Sequence, residues 1–508
     1  MMSSKQLSFE QLAEKARQLR KQGKQVVLCH GAFDLLHPGH IRHLARARKE
    51  GDILLVTLTG DRFINKGPSR PVFQESLRAE SIAALASVDH VAIHHDATAV
   101  SAIQGIKPHV YVKGSDYQDP EQDITGNIML EKNAVEAVGG RIFFTDEIQF
   151  SSSSLINEHF DVFSPLARRY LAGFRQKHDA TSIIEQVQRL SSLKVLVVGE
   201  AIVDEYCWAT PMGQTGKSGH ILSAKFDSIE QFAGGALAIA NHLAGFAGEV
   251  TLLTGLGRGG RHEPFIRSKL DPKIITHFHY FEDAPTLVKR RFVDPFMNKL
   301  FEVYYYDEDP MTPEVESPIR QWIRAHAAEY DLVLVPDYGN GFISVDMARD
   351  LSETARFLAV NTQINSGNRG YHVITRYPRV DFTALNEPEV RLAAHNRQDS
   401  VEKVGAALAA RVGAKNLAVT LGMDGALFLE QESERIHHVP ALSTKVVDRI
   451  GAGDAFLCLA GLALAGGLEP EVAAFLGSSA AALDVQIVCN REPVLPVNLF
   501  KYINTLLK

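Results

Sequence analysis

Cysteine is scarce in this chain, with four in 508 residues, at positions 29, 207, 458 and 489. They are scattered with neither disulfide-like nor metal-like spacing, which argues against a stapled secreted scaffold and suits a reducing cytoplasm. Long apolar runs are also missing, so no segment reads as a membrane span. In the first 20 residues charges interrupt every apolar stretch, and the segment is expected to form an amphipathic helix rather than a secretion signal. Positive charge is not in excess: 53 Lys and Arg stand against 60 Asp and Glu, a net charge of −7 with the two signs interspersed. That leaves no basic footprint for a nucleic-acid partner. Short-period repeats and low-complexity segments are absent as well.

What remains is ordinary globular composition, 45% hydrophobic, 22% charged and 8% aromatic. The length favours two or three domains. Short apolar runs at 26–28, 53–58, 88–93, 110–112 and 141–144 alternate with helical stretches such as 41–49, the pattern of a parallel α/β sheet. Charged helical segments at 167–177 and 181–190 follow. Alternation restarts at 194–199, with further strands expected at 332–335 and 417–420. The fold class is therefore α/β. The expected division is an N-terminal Rossmann-like domain over 1–160, a helical linker over 161–192 and a C-terminal α/β domain over 193–508.

Two glycine-rich turns carry the chemistry. The first is His30-Gly31-Ala32-Phe33-Asp34-Leu35-Leu36-His37-Pro38-Gly39-His40. Pro38 suits the first position of a helix, so His37 and His40 stand where free N–H groups and the helix dipole attract anions. Two imidazoles there can stabilise charge growing on an α-phosphate during in-line displacement. Taken alone, they could equally cap the helix, and Asp34 is expected to hold the loop. The second turn is Asp448-Arg449-Ile450-Gly451-Ala452-Gly453-Asp454, ahead of an apolar helix. Its successive N–H groups form an anion hole, and Asp454 is placed to take a proton from a hydroxyl that attacks a γ-phosphate. Alone, this too could be a simple capped turn.

Context adds to both. Gly31-x-Phe33-Asp34-x-x-His37-x-Gly39-His40 resembles the signature of the cytidylyltransferase-like nucleotidyltransferases. Lys66-Gly67-Pro68-Ser69-Arg70-Pro71-Val72, Arg78-Ala79-Glu80, residues 107–117 and the serine-rich turn 150–156 resemble the nucleotidyltransferase half of the bifunctional ADP-heptose synthesis proteins. The resemblance implies nucleotide and phosphate contacts from Ala32, Phe33, Arg78, Asp116, Ser153 and Ser154, with Lys66 neutralising phosphate charge beside His37 and His40.

Residues 194–500 resemble the ribokinase-like (PfkB) sugar kinases. The resemblance rests on Val197-Val198-Gly199-Glu200-Ala201-Ile202-Val203-Asp204, Gly234-Gly235-Ala236, Asp337-Tyr338, Asn386-Glu387-Pro388-Glu389 and the Gly451 turn. It implies Asp454 as base and an anion hole at Gly451, Ala452 and Gly453. It further implies sugar contacts at Asp204, Gly234 and Gly235, nucleotide contacts at Thr420 and Gly422, and organisation of Mg2+ and phosphate by Asn386 and Glu389 without a dedicated protein cage. Departures from the family pattern lie at Glu200, Ala238, the 255–260 glycine run and Asn361-Thr362-Gln363, so an altered acceptor is expected. Lys289, Arg290 and Arg291 are expected to be solvated charges on a helix face, while the resemblance leaves room for one of them to touch a substrate phosphate.

Together the resemblances imply ATP-driven phosphorylation of a heptose phosphate-like sugar, then nucleotidyl transfer from ATP or CTP to the sugar 1-phosphate. They imply Mg2+, small-molecule partners and a homodimer. Two alternatives stay open: a cytidylyltransferase acting on an alditol phosphate such as glycerol phosphate, and a C-terminal domain that only binds sugar and regulates.

Overall fold

Short, near-continuous apolar runs suit strands of a parallel sheet covered on both faces, and the structure is built on several of them. A computed structural model describes residues 5–64, 70–96, 98–115, 127–145, 163–215, 218–258, 261–282, 284–307, 311–365, 367–368, 370–443 and 445–508. Its backbone contacts divide the chain into two units, Met1–Ser164 with Phe500–Lys508, and Pro165–Leu499.

The first unit runs α1 (Phe9–Lys21), β1 (Val26–Gly31), α2 (Pro38–Ala47), β2 (Ile53–Thr59), α3 (Glu75–Ala83), β3 (His90–His94), α4 (Val100–Ile106), β4 (Val110–Gly114), α5 (Asn127–Ala137) and β5 (Arg141–Thr145). All five strands are parallel, in the order β3-β2-β1-β4-β5. Val27, Cys29, Val56 and Val112 pack on one face with Leu44 and Ala47 of α2. Val26, Leu28, Leu55 and Tyr111 pack on the other, with Leu12 of α1 and Ile103 of α4. The strand order reverses between β1 and β4, which opens a crevice at their C-terminal ends. Gly51 is required where α2 returns to β2, since a Cβ there would stand 2.7 Å from Val27 Cγ2 and 2.8 Å from the Gln25 carbonyl.

The second unit opens with α6 (Pro165–Arg175) and α7 (Ala180–Arg189), the stretch expected to be helical. The chain continues through β6 (Lys194–Val198), β7 (Ala201–Thr215), β8 (Ser218–Gly235), α8 (Ala236–Ala244), β9 (Glu249–Gly257), α9 (Glu263–Lys269), β10 (Ile275–Phe281), β11 (Leu287–Val293) and β12 (Lys299–Tyr305). Next come α10 (Pro313–His326), β13 (Leu332–Asp337), α11 (Val345–Thr354), β14 (Leu358–Thr362), β15 (Phe382–Asn386), α12 (Glu387–Ala393), α13 (Val401–Val412), β16 (Asn416–Thr420), β17 (Ala426–Glu430) and β18 (Arg435–Val439). The last helices are α14 (Ala452–Ala465), α15 (Pro470–Asp484) and α16 (Pro496–Leu506), the last of which is grouped with the first unit from Phe500 on.

A nine-stranded sheet, ordered β10-β9-β6-β13-β14-β15-β16-β17-β18, forms the body of this unit and is parallel up to β16. A separate four-stranded sheet, β12-β11-β7-β8, carries the long β7–β8 hairpin. Leu196, Val333, Val360 and Leu417 fill the core on one face of the large sheet, with Ile319, Met347 and Leu408 from helices. Gly461 of α14 lies on the opposite face, where a Cβ would stand 3.4 Å from Ala359 Cβ.

Helix α6 packs on α15 through Phe174, whose ring stacks on Phe475 with centroids 4.4 Å apart. Phe475→Ala is expected to destabilise the second unit by about 3–5 kcal/mol, the usual cost of emptying a buried aromatic site. A lowered urea midpoint, followed by tyrosine and tryptophan fluorescence, is the measurement that checks it.

Candidate active sites

In the first unit, β1 carries the chain to the crevice, and His37 caps α2, its Nδ1 accepting the His40 N–H at 3.4 Å. That bond leaves the proton of the neutral ring on Nε2, because Nδ1 is an acceptor. Burial lowers the His37 pKa, so the neutral donor form prevails at physiological pH. The His37 and His40 rings stack with centroids 3.9 Å apart, and Phe33 meets His40 edge-on at 5.2 Å. Phe33 takes φ 46°, a left-handed conformation that folds the loop tightly over the helix start. Asp34 Oδ1 accepts the Val72 N–H at 2.6 Å and holds this loop.

Arg78 stands differently from its expectation as a phosphate ligand. Its side chain is fully buried and committed to protein acceptors: Nε donates to the Phe73 carbonyl at 2.9 Å, Nη1 to the Ala32 carbonyl, and Nη2 to the Thr59 carbonyl at 2.9 Å and Asp61 Oδ1 at 2.6 Å. It clamps the loop from beneath, so it acts on the position of Ala32 rather than on an anion. Lys66, Asp116, Ser153 and Ser154 lie outside the described residues.

The second unit holds a cavity of about 980 Å³ at the C-terminal ends of the parallel strands. Its lining brings together Asp204, Gly235, Asn386, Glu389, Thr420, Gly422, Gly451, Ala452, Gly453 and Asp454, residues spread over 251 positions of sequence. Gly451 adopts φ 100° as the cap of α14, a conformation suited to glycine, and the first residues of the helix line the cavity. Asp454 follows in the first turn. Its Oδ2 accepts the Tyr338 hydroxyl at 2.9 Å. Burial pushes its pKa up to about 7, with the Tyr338 bond opposing, Asp204 adding to the rise and Lys289 again opposing.

Asn386 and Glu389 form a capping box on α12: the Asn386 side chain accepts the Glu389 N–H at 2.9 Å, and Glu389 Oε2 accepts the Asn386 N–H at 2.8 Å. Burial pushes Glu389 up to about 7. Among the described residues no group of three or more His, Cys, Asp or Glu is placed to hold a metal by itself. A hard cation carried by a triphosphate needs only one or two carboxylates and keeps several waters, so Glu389 at the cavity wall fits such a cation.

Gly234 does not line the cavity. A Cβ there would fall 1.9 Å from Asp204 Oδ2, so its glycine makes room for that carboxylate. Asp204 in turn pairs with Arg291. The expected solvated helix face at 289–291 is corrected here. These residues lie on strand β11, and alternation sends Lys289 and Arg291 inward, where they are 4% and 8% exposed and line the cavity. Arg290 points the other way and donates to Glu205 Oε2 at 2.6 Å. The run Leu287-Val288-Lys289-Arg290-Arg291-Phe292-Val293 has strand-like apolar flanks, a signal outweighed by its three consecutive charges. The contact of Tyr338 with Asp454 had no signal in the sequence, because 116 residues separate them.

Residues 192–493 match the family described as pfkB family carbohydrate kinase. This chain belongs to that family. Residues 28–159 match the cytidylyltransferase-like family, so this pfkB-family transferase carries a cytidylyltransferase-like domain N-terminal to its kinase domain. A protein of Syntrophotalea carbinolica named Bifunctional protein HldE is 39% identical over 141 residues, covering 27% of each chain. Its namesake in Aliarcobacter butzleri is 41% identical over 130 residues, 25% of this chain and 27% of the relative. The matched segments thus span about a quarter of those relatives' length. The phosphofructokinase-2 of Escherichia coli, solved in complex with substrates and products, shares the fold at TM-score 0.51 and 14% identity, over 62% of this chain and 100% of that one.

The Gly234–Asp204 packing gives a direct check on this wall of the cavity, which the resemblance assigns to the sugar. Gly234→Ala is expected to displace Asp204 and raise the sugar KM about tenfold or more. Steady-state kinetics with varied sugar at saturating ATP measure it.

Proposed function

We propose that the kinase domain phosphorylates the anomeric hydroxyl of a heptose phosphate-like sugar with ATP, and that the N-terminal domain transfers a nucleotidyl group to the resulting sugar 1-phosphate. The observation that carries the reading is Asp454, recessed in the cavity at the amide-rich start of α14 with Tyr338 on one carboxylate oxygen. The HldE-named relatives support the pairing of activities.

In the kinase step the Asp454 carboxylate takes the hydroxyl proton as the sugar oxygen attacks the γ-phosphorus, and the bond to the β-phosphate oxygen breaks to leave ADP. The N–H groups of Ala452 and Gly453 would meet the charge of the transferring group. In the second step an oxygen of the sugar 1-phosphate attacks the α-phosphorus of a nucleoside triphosphate and pyrophosphate leaves. His37 Nε2–H and His40 would donate to the oxygens that gain charge there. Lys66, Asp116, Ser153 and Ser154 would complete that grip on the nucleotide. Mg2+ bound through the triphosphate would offset charge in both steps, with Asn386 and Glu389 holding it in the kinase cavity. The free, buried state of Cys29, Cys207, Cys458 and Cys489 supports a cytoplasmic setting.

Incubation with ATP, CTP and a panel of heptose and hexose phosphates, read by mass spectrometry, tests the reading. A nucleotide-activated sugar is the expected product, and its absence in every combination sinks the proposal. Asp454→Asn is expected to lower sugar phosphorylation by about 1,000-fold or more while pyrophosphate release from supplied sugar 1-phosphate persists. His40→Ala should do the reverse. Because the base must be ionised and its pKa lies at about 7, kinase turnover should climb as pH rises through 7 and fall below it. A kcat profile from pH 5.5 to pH 9 checks this.

A further inference from the structure

Lys289 and Arg291 enter the kinase cavity side by side on β11, yet their surroundings differ. Arg291 is already paired with Asp204, and its Nε lies 3.3 Å from Glu302. Lys289 is 4% exposed, and among the described residues no ion pair or hydrogen bond holds its ammonium. Two aromatic faces flank it instead, with Nζ 5.5 Å from the centre of the Tyr304 ring and 5.3 Å from that of Tyr338. The hydroxyl of that same Tyr338 donates to Asp454 Oδ2 at 2.9 Å. One tyrosine therefore touches both the buried cation and the carboxylate at the helix start.

A desolvated ammonium without an anionic partner is costly to keep, and cation–π contact offsets only part of that cost. Burial accordingly lowers the Lys289 pKa, with Asp204 opposing, Arg291 adding to the fall, and Glu200 and Asp454 opposing. An anion arriving beside Asp454 would meet this unpaired donor. The tyrosine ties that anion's place to the reaction centre, since the sugar oxygen and the γ-phosphoryl group must meet within reach of Asp454.

We infer that Lys289 is a catalytic residue of the kinase domain, whose ammonium donates to the oxygens of the phosphoryl group as it passes from ATP to the sugar. This rests on the kinase reading above. The new bond joins the sugar oxygen to phosphorus, the broken bond leaves its electron pair on ADP, and the hydroxyl proton goes to Asp454. Lys289 transfers nothing. It meets charge that the attack brings into the cavity, and Tyr338 keeps it alongside while binding one oxygen of the base.

The groups facing Asp454 are Tyr338 beyond β13, Asp204 on β7, Lys289 on β11, Glu389 on α12, Cys458 on its own helix and Asp484 at the end of α15. Among Asp204, Lys289 and Tyr338, which set its ionisation, Lys289 is the cation that favours the carboxylate, so its loss should raise the pH needed to ionise the base.

The test uses the full chain, ATP with Mg2+, and whichever sugar phosphate in the panel turns over fastest. Lys289→Met is expected to lower kcat about 100-fold, with sugar KM held within about threefold, as for loss of a contact made in the transition state. The acid limb of its kcat profile should also move to higher pH. Lys289→Arg keeps the charge and should recover part of kcat with the limb at its wild-type position, while thermal unfolding midpoints confirm that both variants fold. An unchanged kcat in Lys289→Met overturns the inference, as does a change confined to KM, which would make Lys289 an anchor for the acceptor. Equal losses in both variants without movement of the limb also overturn it, pointing to packing alone. Lack of any sugar phosphorylation by the wild type removes the kinase reading and this inference together, whereas loss in Asp454→Asn but not in Lys289→Met removes this inference only.

Discussion

A carboxylate held inside a cavity, where burial opposes its charge, is the constraint around which the pocket of the kinase domain is arranged. Asp454 meets it by standing in the first turn of α14, where unpaired amides and the helix dipole favour negative charge. Burial works against ionisation and brings the group to about 7, poised between its two states near neutral pH. Tyr338 then fixes one of its oxygens. The helix start that favours charge on Asp454 is also the kind of place an anion would seek.

Much of the surrounding structure keeps Tyr338 in place. Glu200, beyond β6, accepts the Tyr338 N–H at 3.2 Å and the Asn340 N–H at 3.1 Å. Asp337 is fully buried and accepts from the Tyr377 hydroxyl at 2.8 Å and Arg376 at 3.0 Å. Burial raises the Glu200 pKa and the neighbouring Asp337 raises it further, so these acids serve as hydrogen-bond anchors for the turn. On the other wall, Gly234 gives Asp204 its space and Arg291 neutralises it. The loop before α2 in the cytidylyltransferase-like domain follows a similar plan, with Arg78 and Asp34 buried beneath it so that His37 and His40 are held at the start of α2.

The α/β class, the strands at 332–335 and 417–420, and the helix opening at Pro38 were legible because each depends on local pattern: a short apolar run, a proline at a first turn, a glycine with free backbone angles. The glycine turns were legible for the same reason. The β7–β8 hairpin and the four-stranded sheet were not, since Ala201–Thr215 and Ser218–Gly235 pair antiparallel through a register with several irregularities that no simple alternation announces. Arg78 was read as a phosphate ligand because sequence reports its charge and cannot report that four protein oxygens already receive its donors.

Residue types and their spacing were enough to mark two turns that open helices and two α/β halves, because a helix start depends on only a few consecutive residues. The partners of those turns were decided in three dimensions. Lys289, Tyr338 and Asp454 belong to different elements, and only the stacking of the small sheet against the strand ends of the large one makes them neighbours. Charge on a strand faces solvent or cavity according to what packs beside it, and that is a property of the assembled fold.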